Sequence, residues 1–273
     1  MAVRQEHADH QWRMVVRLTI RPRRQVARWP ALFAVLTALL PADVFGQDGG
    51  WHSVLEANAS TLFGASSQTL AALTAAVSHE GDDFTTDASF KFRYGESEDA
   101  ERVKFVSARG WALTASADVT PKARFSPFVF VSGEASLEKR IASRRSGGAG
   151  AKWTFVRSDA GSVSLSLAVL AERTDALSDS AISPTSVARW SWRAKFERRL
   201  ADRLSVSHVT FYAPIVNAPA QYTIVSTSVG NVALTQAVGL TLTFTDNYDS
   251  QARLRGAPTN NDGSLLFGIR ATF

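Results

Sequence analysis

Leu265-Leu266-Phe267-Gly268-Ile269-Arg270-Ala271-Thr272-Phe273 is the stretch on which the fold turns. Leu265, Phe267, Ile269, Ala271 and Phe273 share one parity, and Leu266, Gly268, Arg270 and Thr272 share the other. Successive side chains of a β-strand point to opposite faces, so the stretch reads as a strand with one continuous apolar face. A helix would scatter the same five residues around its circumference.

The same period of two runs back along the chain. Phe84, Thr86, Ala88, Phe90, Phe92 and Tyr94 alternate with Thr85, Asp87, Ser89, Lys91 and Arg93. Val163, Leu165, Leu167 and Val169 alternate with serines and Ala168. Ala188, Trp190, Trp192, Ala194 and Phe196 alternate with Arg189, Ser191, Arg193, Lys195 and Glu197. Twelve such segments are expected, with ten to fourteen compatible with the pattern: 51–62, 67–79, 84–95, 101–117, 125–138, 147–157, 162–173, 187–199, 203–213, 220–229, 232–247 and 262–273. Several are ten residues or longer, the length of a tilted membrane-spanning strand. Turn residues are expected at His79–Asp83, Asp118–Ala123, Ser158–Gly161, Leu200–Asp202 and Gly230–Asn231. The longest gaps, 174–186 and 248–261, fall on the opposite parity. Short turns at one end and long loops at the other are the layout of an outer-membrane barrel.

Alternation alone does not say which face points inward. A soluble barrel turns its apolar face inward; a membrane barrel turns it to lipid and keeps a polar lumen. Asp87, Lys91, Arg93, Arg189, Arg193, Lys195 and Glu197 are the candidate lumen residues, and Trp51, Tyr94, Phe125, Tyr212 and Tyr222 sit near strand ends where aromatic girdles would lie. The closing strand, with its terminal Phe273, resembles the C-terminal signal read by the barrel assembly machinery. We therefore expect an all-β, antiparallel transmembrane barrel as a single domain over residues 47–273, in the bacterial outer membrane and in contact with its lipid.

The beginning of the chain carries its own signal. Arg21, Arg23, Arg24 and Arg28 precede the apolar run Ala31–Leu40; Pro41 follows it, and Val44-Phe45-Gly46 offers a cleavage site. This is the order of a secretory signal peptide, so residues 1–46 are expected to be a cleaved leader engaging the secretion translocon and signal peptidase. Met14 is an alternative start. The run is too short to span a bilayer as a helix, and no stretch of 18 apolar residues follows it. Of the net charge of +5, the leader holds seven arginines against three acids, leaving 23 basic and 22 acidic residues. The remainder is thus nearly neutral, which argues against a nucleic-acid partner. With no cysteine, thiolate catalysis, disulfides and Cys-ligated metals are excluded.

Leu240-Thr-Leu-Thr-Phe244, followed by Tyr248-Asp249-Ser250, Asp262 and a closing strand ending at Phe273, resembles a bacterial family described as salt-induced outer membrane proteins, the domain of unknown function numbered 481. The resemblance is specific over about the last 50 residues. Ala252 replaces the family's usual proline, and Gly64-Ala65 stands for the Gly-Asn of its first hairpin. The resemblance implies a barrel in the outer membrane and supplies no mechanism.

Chemical motifs are sparse. His208-Val209-Thr210 places a hydroxyl two residues from an imidazole, loosely like the His-x-Ser of a lipid A deacylase, with no evident carboxylate partner. Gly147–Lys152 lacks the ending of a phosphate loop, and Asn260–Gly263 lacks the spacing of a calcium loop and reads as a turn. No catalytic residue, cofactor or metal is assigned. The expected function is a non-catalytic, structural or stress-related envelope barrel with a largely closed, charged lumen. The rivals are a narrow channel for small solutes, an outer-membrane hydrolase using His208, and a soluble periplasmic barrel.

Overall fold

The computed structural model describes residues 50–62, 67–98, 101–178 and 183–273. The expected leader over 1–46 and the Gly64-Ala65 hairpin lie outside the described residues. Among them, twelve strands follow one another: β1 (Trp51–Leu62), β2 (Ser67–Glu80), β3 (Phe84–Glu98), β4 (Lys104–Val119), β5 (Phe125–Ser136), β6 (Ile141–Ser158), β7 (Gly161–Ala176), β8 (Thr185–Ala201), β9 (Leu204–Ile215), β10 (Ala218–Ala233), β11 (Val238–Asp249) and β12 (Asn261–Thr272). Each pairs antiparallel with the next, and β1 pairs with β12, so the sheet closes on itself. Ser53 and Phe273 exchange backbone hydrogen bonds of 2.9 and 3.0 Å at that seam. Closure removes every sheet edge, the condition for a β-structure to sit in lipid.

The alternation decides which way the wall faces. Val131 and Phe267, on the apolar parity, are 60% and 64% exposed. Asp87, Lys91, Arg93, Arg189, Arg193, Lys195 and Glu197 fall on the opposite parity, so the apolar face is the outer wall and the polar face the lumen. That is the arrangement of a transmembrane barrel and removes the soluble-barrel alternative. The expected parity of connections also holds. Three residues or fewer join β2 to β3, β6 to β7 and β8 to β9, while 250–260 forms the longest fully described connection at the other end, where β9 and β10 are nonetheless joined by only two residues. Trp51 and Phe125 lie at the turn end; at the loop end Tyr212 meets Tyr222 edge to face with centroids 5.6 Å apart, and Tyr222 stacks on Tyr248 at 5.3 Å.

The expected boundaries are wrong at β6, which begins at Ile141 rather than at 147, and after β10. Gly230-Asn231 does not turn the chain: β10 continues to Ala233, and the reversal comes at residues 234–237. Thr235 supplies the turn chemistry, its hydroxyl accepting from the Ala237 and Val238 amides at 3.2 and 3.0 Å. Gly230 instead pairs with Leu242 inside the ladder. The β6 glycines are explained by close approach rather than by a turn. A Cβ on Gly148 or Gly150 would lie 2.3 Å from the carbonyl oxygen of Val169 or Leu167 on β7, which no side chain tolerates.

Candidate functional site

The lumen is the concave surface of this molecule, and its charges fall in two tiers. At the loop end, alternation places Glu134 on β5, Arg144 on β6, Glu172 on β7, Arg189 on β8 and Asp249 on β11 on the inward parity. Arg144 donates to Glu134 Oε1 at 2.9 Å, to Asp249 Oδ2 at 2.8 Å and to Thr174 Oγ1 at 3.1 Å. Arg189 donates to Glu172 Oε1 at 3.0 Å and to the Ala213 carbonyl at 2.9 Å. The 250–260 loop turns inward through a short 3-10 segment, Arg253–Arg255, and Arg255 donates to Asp249 Oδ2 at 2.6 Å and to the Lys139 carbonyl at 3.0 Å. Asp249 is 2% exposed and takes two guanidiniums on one oxygen. Such charge-assisted bonds between buried groups are strong, and removing one partner leaves the other stranded.

Burial lowers the Arg255 guanidinium from its ordinary value while Asp249 pulls it back up; it stays cationic at neutral pH. On the neighbouring arc of the wall, Arg93 bridges Glu138 at 2.6 Å and Asp262 at 2.7 Å, tying β3 and β12 to the 137–140 connection. The cavity left among Arg144, Glu172, Arg189, Gln221, Gln251 and Arg255 measures about 60 Å³, room for a handful of waters.

The turn end is built differently. Lys152 pairs with Asp118, and Lys195 with Glu197 at 2.9 Å. Arg193 forms no ion pair among the described residues; its guanidinium lies 6.0 Å from the Phe128 ring and 5.9 Å from the Phe211 ring. Phe130 stands 6.1 Å from Phe128 on the same face. Asp87 and Lys91 lie on the inward parity of β3 yet are exposed, so water reaches this part of the lumen.

All seven candidate lumen residues thus fall on the inner wall, but not as one group. Arg93 and Arg189 belong to the loop-end network; Asp87, Lys91, Arg193, Lys195 and Glu197 belong to the turn-end half. Sequence reading missed Glu134, Glu138, Arg144, Glu172 and Arg255; some of their partners are distant along the chain, as Arg144 is from Asp249, and others are near, as Arg255 is to Asp249. It also missed the aromatic patch, although Phe128-Val-Phe-Val131 is apolar on both parities, a departure from the alternation elsewhere.

The residues of the expected family motif have structural work. Besides binding two arginines, Asp249 accepts the Gln251 amide at 2.9 Å, and Ser250 accepts the Tyr222 amide at 2.9 Å. The Ala252 amide donates to the Asp249 carbonyl at 3.0 Å, a bond that proline could not make. Asn260 Oδ1 accepts the Arg253 amide at 2.9 Å and serves the loop, but Asn261, Asp262 and Gly263, also expected as turn, lie in β12 and pair with Tyr248, Asn247 and Asp246. Residues 56–273 match the model of the family described as "Protein of unknown function, DUF481". The chain belongs to that family.

No curated protein matches this DUF481 chain in sequence. Among solved structures it is similar to the translocator domain of the autotransporter NalP from Neisseria meningitidis (11% identity, 89% of this chain and 95% of that one, TM-score 0.44). It is also similar to the COG4313 outer membrane channel from Pseudomonas putida F1 (12%, 85% and 98%, TM-score 0.45) and to the KdgM porin (9%, 81% and 99%, TM-score 0.42).

His208 and Thr210 lie on the outer wall, as shown by their pairing with Phe196 and Ala194. The imidazole bonds Ser228 Oγ at 2.8 Å and Thr210 Oγ1 at 2.8 Å, and Thr210 bonds Ser226 Oγ at 2.9 Å. The third member is a hydroxyl where a hydrolytic triad needs a carboxylate or an amide to orient the imidazole. The Leu265, Phe267, Ile269, Ala271 and Phe273 parity faces outward on β12.

Proposed function

We propose that this DUF481 protein is a non-catalytic barrel of the bacterial outer membrane whose loop-end mouth is held shut by buried ion pairs, serving the envelope as a structural or stress-related element. The observation that carries the reading is Asp249. One carboxylate joins a wall arginine, Arg144, to a loop arginine, Arg255, and so fastens the 250–260 loop inside the mouth. A conducting path lined by free charges would not need such a bond. In this reading the leader passes the chain through the secretion translocon to signal peptidase, and the closing strand is handed to the barrel assembly machinery.

Proteoliposomes of residues 47–273, checked for the heat-shifted gel mobility of a folded barrel, should not swell in isotonic small sugars. Swelling by the folded wild type would replace this reading with that of a narrow channel. The Thr210–His208–Ser228 chain favours a second reading, an outer-wall hydrolase. Against it stands that, among the described residues, His208 bonds hydroxyls and no carboxylate, and we expect wild type and His208→Ala alike to leave phospholipid esters intact.

A further inference from the structure

The outer wall carries one arrangement that neither the latch nor the membrane span explains. Arg145 on β6 and Arg173 on β7 are direct cross-strand partners, both on the outward parity and both exposed. Like charges placed opposite one another destabilise a ladder. Arg173 is 63% exposed in its side chain; among the described residues its one ion pair is with Asp175, at 3.5 Å, and Arg145 has none. Ser186 pairs with Arg173 from β8 and adds a hydroxyl beside it. Immediately below, the wall is made of Gly147, Ala171 and Ala188, neighbours in register on β6, β7 and β8, and their small side chains leave a shallow, open hollow on the outer surface.

The height of the pair is set by β7. From Val163 to Arg173 are ten residues, and ten residues of a strand tilted by about 40° rise about 25 Å, the height of the apolar band of an outer-membrane barrel. The outward residues between them, Val163, Leu165, Leu167, Val169 and Ala171, are all apolar. The two guanidiniums therefore stand at the boundary nearer the long loops, with hydrocarbon-facing wall beneath them.

We propose that Arg145 and Arg173 clamp the phosphate of a multiply acylated glycolipid of the outer leaflet, one of whose acyl chains lies in the Gly147–Ala171–Ala188 hollow. A phosphomonoester carries close to two negative charges and accepts forked bonds from guanidinium, which relieves the repulsion within the pair. A zwitterionic headgroup offers less charge, and free phosphate has no chain to fill the hollow.

The inference rests on the lipid-facing reading of the wall, which heat-shifted mobility in detergent tests by itself. The direct test is native mass spectrometry of residues 47–273 with bisphosphorylated hexa-acyl lipid A, with the same lipid dephosphorylated, and with inorganic phosphate as competitor. Folded wild type should retain the bisphosphorylated lipid, bind the dephosphorylated lipid roughly tenfold less and be little affected by phosphate. Arg145→Gln/Arg173→Gln should lose that preference, while Arg198→Gln, at the outward turn-end rim, should keep it. Equal retention of both lipids, an unchanged preference in the double variant, or full displacement by phosphate would each overturn the assignment. A double variant without the folded-band shift is replaced by Gly147→Leu, which fills the hollow, keeps both arginines and should reduce retention of the same lipid.

Discussion

The two halves of the lumen treat their charges differently, although the turn end also holds one largely buried pair, Lys152 with Asp118. At the loop end, Arg144, Arg189, Arg255, Glu172 and Asp249 are withdrawn from water and knitted across four strands and a loop. At the turn end, Asp87 and Lys91 stay exposed to luminal water, and Arg193 rests against phenylalanines instead of a carboxylate. A buried charge must be paired at good geometry, whereas a hydrated one can stand alone. The loop end is thus a structural lock, and the turn end is a wet vestibule. Charge in a barrel lumen has no single meaning; burial decides it.

The difference predicts an order of mutational effects. Asp249→Ala should have the largest, because it strands two buried guanidiniums: a loss of about 3–5 kcal/mol in urea unfolding from detergent, with the loop released. Unchanged stability in that variant would remove the distinction between the halves. Gly148→Ala tests the wall they share and should cost about 1–3 kcal/mol by the same measurement, since β6 and β7 must separate to admit a methyl group. Arg193→Leu, in the wet half, should cost about 0.5–2 kcal/mol, the value of its ring contacts, with no effect on the loop. A loss as large as that of Asp249→Ala would mean that the turn end is locked too. Lys91→Gln should shift stability by less than about 0.5 kcal/mol.

The smallest effect lies outside the span, in the turns. Lys122 hydrogen-bonds Asp82 and holds its carboxyl below the ordinary 3.8. A lowered folded value makes this contribution present above the unfolded pKa and lost as pH falls through the folded one. Wild type should therefore be slightly more stable than Asp82→Asn at neutral pH, and the gap should close in acid. A gap that is constant with pH would show that the pair contributes nothing electrostatic.

What the sequence made legible follows the same division. The strands were readable because lipid on one side and polar lumen on the other impose a strict period of two, and Trp51–Leu62 was expected to the residue. The Gly230-Asn231 turn misled because glycine and asparagine also occur within a ladder, where pairing across β9, β10 and β11 overrides local turn preference. The inward parity of Arg93 and Arg189 was visible, but their partners were not. Arg144 and Asp249 are 105 residues apart, and only the closed register brings β6 and β11 to face one another across the mouth. The Tyr248-Asp249-Ser250 motif was noticed as a family feature, and its role as the lock emerged only with the loop folded onto it.

Single-channel conductance of folded residues 47–273 in a planar bilayer, wild type beside Asp249→Ala, tests the latched mouth most directly. The wild type should remain silent while the variant shows discrete steps. Stable steps in the wild type, equal to those of the variant, would contradict it.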